Sequence, residues 1–372
     1  MSKKRAIVAM SGGVDSAVAA GLLQREGYDV IGITMRLWAQ DDPLASRYHR
    51  RCCPAEDIDD AATAAGLLGI PHYVLNMEQQ FSEHVVDYFV DEYRRGRTPN
   101  PCLPCNERIK FASLLERTAE FDADFLATGH YARIEQRADG YHLLTAADET
   151  KDQSYVLYML GQAELARVLF PIGAYRKHEI RALASTLGLP VADKPDSADI
   201  CFLPTEDYRD FIEQRVPQSQ GDIVDNAGRV VGRHRGVAAY TIGQRRGLGL
   251  AAGERRFVTS IDPELNVITI GPEKDLYSES LTAKSLRWVA GAPPSADFGA
   301  DVKIRYRSES SAATVRVDGL TARVRFERPQ RAVAAGQAVV FYQSRSGKAD
   351  GQSDECLGGG IIAHAGRLTE RQ

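Results

Sequence analysis

The six residues Ser11–Ser16, with the sequence SGGVDS, constrain the fold of this chain more than any other stretch. They lie between an apolar run at residues 6–10 and a helical pattern of small residues that begins at Ala17, so a strand is predicted to end here and a helix to begin. Gly12 and Gly13 allow the backbone to turn sharply and to approach a ligand closely. The free amides at the start of the helix form an anion site that the helix dipole favours, and phosphate is the expected occupant.

The first half of the chain alternates predicted strands with predicted helices. This pattern predicts an α/β domain built on a doubly wound parallel sheet, with ligands bound at the carboxyl ends of the strands. Met35 and Gly129 lie at two such ends. The predicted strands are residues 6–10, 30–35, 72–75 and 125–128, and the predicted helices are residues 17–26, 55–68, 81–94 and 108–121.

The pattern changes in the second half. A hairpin is predicted around Asp139-Gly140, followed by helices at residues 153–160, 176–187 and 207–215. We then expect strands broken by turns, and we expect three domains: residues 1–209 as the α/β domain, residues 210–277 as a small β-rich middle domain, and residues 278–372 as a C-terminal antiparallel β-barrel. The predicted barrel strands are residues 302–307, 312–317, 321–326 and 338–342.

Length and composition predict an ordinary cytoplasmic enzyme of 372 residues. The sequence contains no run of about eighteen apolar residues, and its basic N-terminus leads directly into a strand rather than into a cleavable signal, so no membrane partner is expected. The six cysteines, at positions 52, 53, 102, 105, 201 and 356, are too sparse for a disulfide scaffold. We expect thiols, of which any important ones are catalytic or bind metal. Cys52-Cys53 lacks the spacing of a zinc site.

Residues 96–106, with the sequence GRTPNPCLPCN, hold two of these thiols. The three prolines predict a stiff loop rather than a helix. Cys102 and Cys105 have the spacing of half a zinc site, but the sequence offers no second pair, and two small apolar residues are the plainer interpretation. Cys105 falls where the next helix begins, so its thiolate should be favoured by the helix amides.

Cys201 lies between Ile200 and Phe202 in the sequence DSADICF. A cysteine in such a setting is more often a buried apolar residue than a nucleophile. The preceding loop, Lys194-Pro195-Asp196-Ser197, favours a functional role, so both interpretations stay open from the residues alone.

The SGGVDS string lacks the lysine of a Walker A loop and resembles instead the pyrophosphate-binding loop of ATP pyrophosphatases. With it, eight motifs occur in the order typical of the tRNA-specific 2-thiouridylases, the bacterial tRNA-uridine 2-sulfurtransferases, and the chain resembles this family over nearly its whole length. The motifs are AMSGGVDS at 9–16, GRTPNPCLPCN at 96–106, ATGHYAR at 127–133, KDQSYVL at 151–157, DSADICF at 196–202, YTIGQRRGLG at 240–249, KIRYRS at 303–308 and CLGGGII at 356–362.

The resemblance implies a set of site residues. Cys105 corresponds to the family nucleophile and Cys201 to the persulfide carrier. The chain departs from the family at Cys102, where many members have aspartate, and in the longer, polar stretch at residues 344–355. The implied ATP contacts are Ala9, Met10, Ser11, Gly12, Gly13, Val14, Asp15, Ser16, Met35 and Gly129. The implied contacts to the target uridine are Asn100, Pro101 and Cys102, and other tRNA contacts are His130, Lys151, Asp152, Gln153, Arg305, Tyr306 and Gln337.

The resemblance also implies the reaction. ATP, with Mg²⁺ that Asp15 helps to hold, adenylates oxygen 2 of the wobble uridine, because that oxygen is a poor leaving group. A persulfide on Cys201 then supplies sulfur, as hydrosulfide or by direct attack, and Cys105 releases it while closing a disulfide with Cys201. The implied partners are tRNAs of the lysine, glutamate and glutamine type, and a persulfide donor, either a cysteine desulfurase or a sulfur-relay protein.

The distribution of arginines is consistent with an RNA substrate. Residues 227–257 contain seven arginines and one acidic residue, and residues 301–331 contain eight basic and four acidic residues. Solvated strand faces explain either set taken alone, but together with the family resemblance a tRNA-binding surface is the better explanation. Two other functions are considered: a small-molecule ATP pyrophosphatase such as argininosuccinate, asparagine or GMP synthetase, and a non-enzymatic nucleotide- or RNA-binding module with structural cysteines.

Overall fold

A computed structural model describes residues 3–38, 55–195, 200–203, 208–217, 219–249, 255–343 and 354–366. The predicted parallel sheet is confirmed: its five strands have the order β3-β2-β1-β4-β7, and all neighbours in it are parallel. The strands of this part of the chain are β1 (Arg5–Ala9), β2 (Asp29–Arg36), β3 (His72–Asn76), β4 (Phe125–Thr128), β5 (Ala132–Arg137), β6 (Gly140–Thr145) and β7 (Val168–Leu169).

Helices cover both faces of this sheet. Successive β1 residues point to opposite faces: Ile7 packs in a core with Phe81, Phe89 and Ile109, whereas Val8 packs in the core of the other face. The helices are α1 (Val14–Arg25), α2 (Ala55–Leu68), α3 (Glu78–Phe81), α4 (Asp87–Arg94), α5 (Cys102–Pro104), α6 (Leu114–Arg117), α7 (Gln162–Leu165) and α8 (Lys177–Thr186). A π-helical turn, Ser82–Val86, joins α3 to α4, and a second one, Cys105–Ser113, joins α5 to α6.

Two local predictions are wrong. Residues 153–160, predicted to be helical, form only the 3-10 turn Ser154–Val156 and further turns. The proline-rich segment, predicted to be loop throughout, becomes helical at Cys102. Pro101 occupies the N-cap position and Pro104 lies in the first helical turn, where a missing amide proton removes no helical hydrogen bond.

The middle part of the chain contains a short helix and a four-stranded sheet. The helix is α9 (Tyr208–Glu213), and the strands are β8 (Gly221–Asp225), β9 (Val230–His234), β10 (Phe257–Asp262) and β11 (Val267–Gly271). Their order is β10-β11-β8-β9, with β11 and β8 parallel. A separate small core forms here around Ile223, Val258 and Ile268.

The last part is the predicted antiparallel barrel. Its strands are β12 (Tyr277–Trp288), β13 (Asp297–Lys303), β14 (Ser311–Asp318), β15 (Thr321–Arg331), β16 (Ala338–Gln343) and β17 (Glu355–Gly366). They run in the order β12-β15-β14-β13-β16-β17, and pairing of β17 with β12 closes the barrel. The predicted strand at 302–307 is misplaced, because β13 ends at Lys303 and bends follow it.

The predicted hairpin around Asp139-Gly140 is present as β5 and β6, and it connects the first part of the chain to the barrel. Cys356 of β17 pairs with Leu143 of β6, so the hairpin extends the barrel sheet. Tyr155 donates its hydroxyl to the carbonyl oxygen of Ala338 at 2.9 Å. These contacts hold the barrel against the α/β part of the chain. None of the helices in the described ranges is long and apolar enough to span a membrane.

Candidate active site

The loop between β1 and α1 is fixed by close backbone packing. Gly12 has a φ of +72°, and a Cβ atom there would lie 2.2 Å from the carbonyl oxygen of Asp57. A Cβ atom on Gly129 would lie 2.7 Å from the amide nitrogen of Ser16. The Ser16 hydroxyl donates to the Gly13 carbonyl at 3.2 Å and accepts from the Ser11 amide at 3.1 Å. Both Gly12 and Gly129 are therefore required by the fold of the loop itself.

Gly13 differs from its neighbour. It is the N-cap residue of α1 with a φ of −96°, and among the residues that the structure describes a Cβ atom there would meet only the Ser11 hydroxyl, at 3.6 Å. One side of the loop is thus open beside the first amides of α1, which is the arrangement needed for a phosphate group. Since Ala9 pairs with Thr128 and Met35 is the penultimate residue of the adjacent strand β2, the sequence-predicted ATP residues converge on this edge of the sheet.

Two lysines that the sequence analysis did not select contact this loop. Lys177 Nζ lies 2.8 and 2.7 Å from the two carboxylate oxygens of Asp15, and the hydroxyl of Tyr131 donates to the same carboxylate at 2.7 Å. Lys194 Nζ donates to the Gly12 carbonyl at 3.0 Å. Lys177 is the first residue of α8, where the helix dipole opposes a positive charge. A lysine at this unfavourable position was the one feature of the sequence that could have pointed to a functional role.

The second lysine is surrounded by acidic groups of α2. Lys194 Nζ lies 2.6 Å from Asp57 and 2.5 Å from Asp60. Burial lowers the pKa of Lys194, but hydrogen bonds to these two carboxylates outweigh it, so the pKa is raised. Arg181 of α8 also donates to the carbonyl oxygen of Lys194, at 3.1 Å. Lys194 thus braces the loop against α2.

The side chain of Asp15 does not fit the expected role of a magnesium ligand. Both of its oxygens accept hydrogen bonds from Lys177, and one of them also accepts from Tyr131. Across the described ranges, no group of three or more histidine, cysteine, aspartate or glutamate side chains is arranged to hold a metal. The residues present therefore do not build a protein magnesium site at this loop.

The cysteine loop places its two thiols in different environments. The amide of Cys102 donates to the side chain of Asn100 at 3.0 Å, which turns the chain into α5. Cys102 is half-buried, whereas Cys105 is buried against the core of the α/β part. Asn106, which is also buried, donates to the carbonyl of Val156 at 2.9 Å and fixes the start of the π-helical turn.

Burial dominates the chemistry of Cys105. It raises the pKa of the thiol to about 11, with Lys110 lowering the pKa and the nearby Cys201 raising it further. The expectation that helix amides favour the thiolate is therefore wrong in direction, because desolvation of a buried charge outweighs the helix dipole. The influence of Cys201 is itself informative, since it means that two cysteines 96 positions apart lie close enough to interact electrostatically.

Cys201 is exposed, which contradicts its interpretation as a buried apolar residue. Its neighbour Phe202 is buried instead. The Phe202 ring stacks on Trp38 with 6.4 Å between the ring centres, and it makes edge contacts with Phe81 and Phe89. Phe202 thus anchors the short segment 200–203 and leaves the Cys201 thiol at the surface, near buried Cys105. The preceding residues 196–199 and the Cys52-Cys53 pair lie outside the described residues.

His130 packs against the π-helical segment that begins at Cys105. Its Nδ1 is 2.7 Å from the hydroxyl of Thr128, and its ring packs against Phe111 and Phe170. Burial, and secondarily the charge of Lys110, lowers its pKa well below the ordinary value. His130 is therefore neutral at physiological pH, and it is 7 % exposed rather than presented at the surface.

Asp152 and Gln153, two of the residues that the resemblance implies as tRNA contacts, make hydrogen bonds within the protein. Asp152 is buried, accepts from the amides of Ala146 and Ser154, and has a pKa raised by burial. Gln153 accepts from the amide of Tyr131 at 2.9 Å. Gln153 thus connects this segment to Tyr131, whose hydroxyl donates to Asp15. The Lys151 side chain is half-buried.

The barrel residues predicted to contact tRNA are partly used within the protein. Arg305 donates to the carbonyl oxygens of Arg331 and Ala332 at 2.6 and 2.5 Å, and burial lowers its pKa. Tyr306 packs against Tyr155 at 6.1 Å. The Gln337 side chain donates to the Thr98 carbonyl at 3.0 Å, so it holds the cysteine loop. Exposed arginines lie elsewhere on the strands and loops of the middle and barrel parts of the chain, among them Arg229, Arg233, Arg235, Arg245, Arg246, Arg316, Arg323 and Arg325.

Comparison with known proteins agrees with this arrangement. Residues 4–205 match the family model described as the tRNA methyl transferase HUP domain. Residues 209–272 match the tRNA methyl transferase PRC-barrel domain, and residues 278–362 match the aminomethyltransferase beta-barrel domain.

Curated relatives match almost end to end. The tRNA-specific 2-thiouridylase MnmA of Chloroflexus aurantiacus is 49 % identical over 96 % of this chain and 98 % of its own length. Its namesake from Geobacter metallireducens is 48 % identical over 97 % of each chain, and that from Lachnoclostridium phytofermentans is 46 % identical over 96 % of this chain and 99 % of its own.

Proposed function

The chain belongs to the family of tRNA-specific 2-thiouridylases and is thus a tRNA sulfurtransferase, and we propose that it makes 2-thiouridine at the wobble position with Cys105 and Cys201 as its catalytic thiols. The observation that carries the assignment of the thiols is their proximity: an exposed cysteine lies within electrostatic range of a buried one from a distant part of the chain. A small-molecule ATP pyrophosphatase needs no such pair, and a binding module needs neither thiol.

The first step activates the uridine. Oxygen 2 attacks the α-phosphorus of ATP, pyrophosphate leaves, and the oxygen becomes part of a good leaving group, AMP. The open side of the loop at Gly13 and the first amides of α1 support a role in holding the pyrophosphate portion. The proposed ATP-binding set is Ala9, Met10, Ser11, Gly12, Gly13, Val14, Asp15, Ser16, Met35 and Gly129.

The second step transfers sulfur. Exposure of Cys201 suits it to receive a sulfane sulfur from a donor protein and to carry it as a persulfide. The thiolate of Cys105 attacks the inner sulfur of Cys201, the outer sulfur leaves as hydrosulfide, and hydrosulfide displaces AMP from carbon 2. Two cysteine thiols are oxidised to one disulfide while the sulfane sulfur is reduced, so a dithiol reductant must restore the enzyme. Alternatively, the outer sulfur of the persulfide attacks carbon 2 and displaces AMP, and the Cys105 thiolate then attacks the Cys201 sulfur, which releases 2-thiouridine and leaves the same disulfide.

Burial of Cys105 has a use in this scheme. A protonated, buried thiol is protected from premature oxidation, and it becomes a nucleophile when substrate binding supplies a base or moves the loop. Lys110, whose charge lowers the pKa of Cys105, is the basic group already placed to help.

The proposed substrates are tRNAs of the lysine, glutamate and glutamine type. We assign the uridine contacts to Asn100, Pro101 and Cys102, and the further tRNA contacts to His130, Lys151, Asp152, Gln153, Arg305, Tyr306 and Gln337. The position of Gln337 beside the cysteine loop supports a role near the anticodon, while the exposed arginines of the middle and barrel parts of the chain suit the phosphate backbone.

The proposal also covers the metal, the sulfur donor, the compartment and the domain boundaries. Mg²⁺ is proposed as the counterion of ATP, with no protein ligand assigned, because Asp15 is bound to Lys177. The sulfur donor is proposed to be a cysteine desulfurase or a sulfur-relay protein, and the enzyme is proposed to act in the cytoplasm, where its tRNA substrate occurs. The proposed domain boundaries are residues 1–209, 210–277 and 278–372.

The direct test is nucleoside analysis of tRNA. The protein is incubated with tRNA, ATP, Mg²⁺, a persulfide donor and a dithiol reductant, and the digested tRNA is examined for 2-thiouridine, with AMP measured in parallel. We expect both products in equal amounts, and neither when ATP or the donor is omitted. Absence of 2-thiouridine under conditions that yield AMP would overturn the proposed sulfur transfer.

A further inference from the structure

Lys177 places a positive charge at the expected phosphate site without belonging to the loop. Its Nζ is bonded to both oxygens of Asp15, the second residue of α1, so it lies beside the first turn of that helix. The ammonium group also lies 5.8 Å from the centre of the Tyr131 ring. The Lys177 side chain is 13 % exposed and that of Asp15 is 31 % exposed, so the pair is shielded from bulk water but not sealed off.

The loop itself has no cation to offer. Residues 11–16 contain no lysine or arginine, whereas the pyrophosphate portion of ATP carries several negative charges. Within the part of the chain that the structure describes, two ammonium groups bond to residues of this loop, those of Lys177 and Lys194. Apart from the proposed Mg²⁺, charge neutralisation must therefore come from side chains outside the loop, and among the described residues these two lysines are the candidates.

The two lysines differ in what surrounds them. Lys194 is bonded to two carboxylates of α2 and to the carbonyl of Gly12, on the side where a single added Cβ atom would strike Asp57. That side has no room for a ligand. Lys177 Nζ bonds to the carboxylate of Asp15, on the helix whose N-terminal amides lie beside the open side at Gly13.

The placement of Lys177 is electrostatically costly without an anion. It is the first residue of α8, where the positive end of the helix dipole opposes an ammonium group. The backbone amide of Lys177 is itself bonded to Asp148 at 3.0 Å, which fixes the start of the helix. The side chain is thus held toward the loop by a rigid element, and Asp15 supplies a counter-charge when no nucleotide is bound.

We propose that Lys177 binds the β- and γ-phosphates of ATP, and that Asp15 and Tyr131 hold its ammonium group in position before ATP arrives. This inference rests on the proposed use of ATP by the loop. In the plainer alternative, the ion pair merely ties α8 to α1 and never touches nucleotide. Under the proposal, loss of Lys177 weakens ligand binding more than loss of Asp15 does. Under the alternative, the two losses have equal effects.

The test compares variants from both sides of the pair. Binding of inorganic pyrophosphate, ATP and AMP is measured by calorimetry without tRNA. Lys177→Met should weaken pyrophosphate and ATP roughly tenfold to a hundredfold, the size of a lost charged hydrogen bond, and leave AMP unchanged. Asp15→Asn breaks the same ion pair but keeps the cation, and its side-chain oxygen can still accept a hydrogen bond from Lys177, so its affinity for pyrophosphate should fall less than that of Lys177→Met. Lys177→Arg should retain most of the affinity.

A second variant covers loss of folding. Lys177→Met leaves the carboxylate of Asp15 without its cation, so Asp15→Asn combined with Lys177→Met, which removes both charges, is tested beside it, with thermal unfolding as the measure of stability. The double variant should still lose pyrophosphate affinity. Unchanged pyrophosphate binding in both Lys177→Met and the double variant, or an equal loss in Asp15→Asn, would overturn the proposal. Because no tRNA is present, failure of 2-thiouridine formation is a separate outcome.

Discussion

The side-chain amide of Gln337 in the barrel donates to the carbonyl oxygen of Thr98, 239 positions earlier, at 3.0 Å. The Thr98 amide in turn donates to Ala335 at 2.8 Å, and a Cβ atom on Gly336 would lie 3.0 Å from the same amide. The barrel therefore holds the segment that leads to Asn100 and Cys105. This relationship gives the barrel a part in positioning the cysteine loop.

Gln337→Ala should slow the thiolation of bound tRNA, beyond any loss of tRNA affinity that follows from the proposed contact. Loss of about 1 kcal/mol of loop docking predicts roughly a fivefold lower rate for bound tRNA. Rates under single turnover and affinity by filter binding separate the two effects. Gln330→Ala is the control, because Gln330 bonds within the barrel to Ser311 and Arg328. A loss of affinity with an unchanged rate for bound tRNA would show that Gln337 does not position the cysteine loop.

The two adjacent loop glycines should respond differently to substitution. Gly13→Val should fold normally but lose ATP binding, because the added atoms enter the open side of the loop and meet little protein there. Gly12→Ala should lose stability, since its φ of +72° and the 2.2 Å approach to Asp57 leave no room for a Cβ atom. Thermal unfolding and calorimetric ATP titration distinguish the outcomes. Normal ATP binding by Gly13→Val would remove the loop from the nucleotide site.

Alkylation of Cys105 should depend steeply on pH. With a pKa of about 11, about one thiol in ten thousand is ionised at pH 7, and this fraction grows about tenfold per pH unit up to pH 10. Timed iodoacetamide labelling followed by peptide mass spectrometry measures the rate. In urea, the labelling rate of Cys105 should stop rising near pH 9.0, because 9.0 is the ordinary pKa of its thiol. This unfolded sample serves as the control. A plateau below pH 8 in the folded protein would show that burial does not dominate.

His130 should make the protein less stable in acid. Its folded pKa lies well below 6.5 whereas its unfolded pKa does not, so the unfolded chain binds more protons and stability falls as pH drops below 6.5. By pH 5 this group contributes a loss of up to about 2 kcal/mol. Urea unfolding at pH 7.5 and pH 5 should show a smaller acid loss in His130→Asn than in the unaltered protein.

His142 offers a control of the opposite sign. Burial lowers its pKa, but hydrogen bonds to Glu355 and Asp139 outweigh burial, so its folded pKa is raised. Its contribution to stability is present below 6.5 and is lost as pH rises through the folded pKa. His142→Asn should therefore increase the acid loss where His130→Asn reduces it. Equal changes in both variants would contradict the assigned directions.

The sequence predicted well what local pattern determines. β4 was expected at residues 125–128 and occupies Phe125–Thr128, because four residues of a buried parallel strand carry their own apolar signature. Residues 153–160 failed for the opposite reason. Their apolar spacing is helical, but the Tyr155 hydroxyl donates to the Ala338 carbonyl, and the hydroxyls of Ser154 and Tyr342 lie 3.1 Å apart. Packing against the barrel therefore decides their conformation.

The candidate site divides in the same way. The glycine-rich loop was identifiable because the string itself carries the signal. The protonation of Cys105 was predicted in the wrong direction, since the sequence indicates a helix start but not the depth of burial. Lys177 was missed because its partner, Asp15, lies 162 positions away and only the tertiary fold brings them together.

Cys356 provides a baseline for the cysteine variants. It is fully buried where β17 meets β6, and burial raises the pKa of its thiol. Cys356→Ala should reduce stability by about 1 kcal/mol through the lost packing and leave 2-thiouridine formation intact. Inactivity of this variant at a temperature where it is folded would mean that loss of activity in other cysteine variants does not by itself identify a catalytic thiol.

The decisive cysteine experiment compares Cys102, Cys105 and Cys201. Cys105→Ser and Cys201→Ser should each abolish 2-thiouridine formation, because one removes the attacking thiol and the other removes the carrier of the persulfide. Cys102→Ser should retain activity, since the half-buried Cys102 thiol is assigned to the base pocket and not to sulfur transfer. Peptide mapping after turnover without reductant should find Cys105 joined to Cys201, which requires their α-carbons to approach within about 7 Å. An inactive Cys102→Ser beside an active Cys105→Ser would reverse the assignment, making the thiol at the start of α5 the nucleophile and the buried one structural.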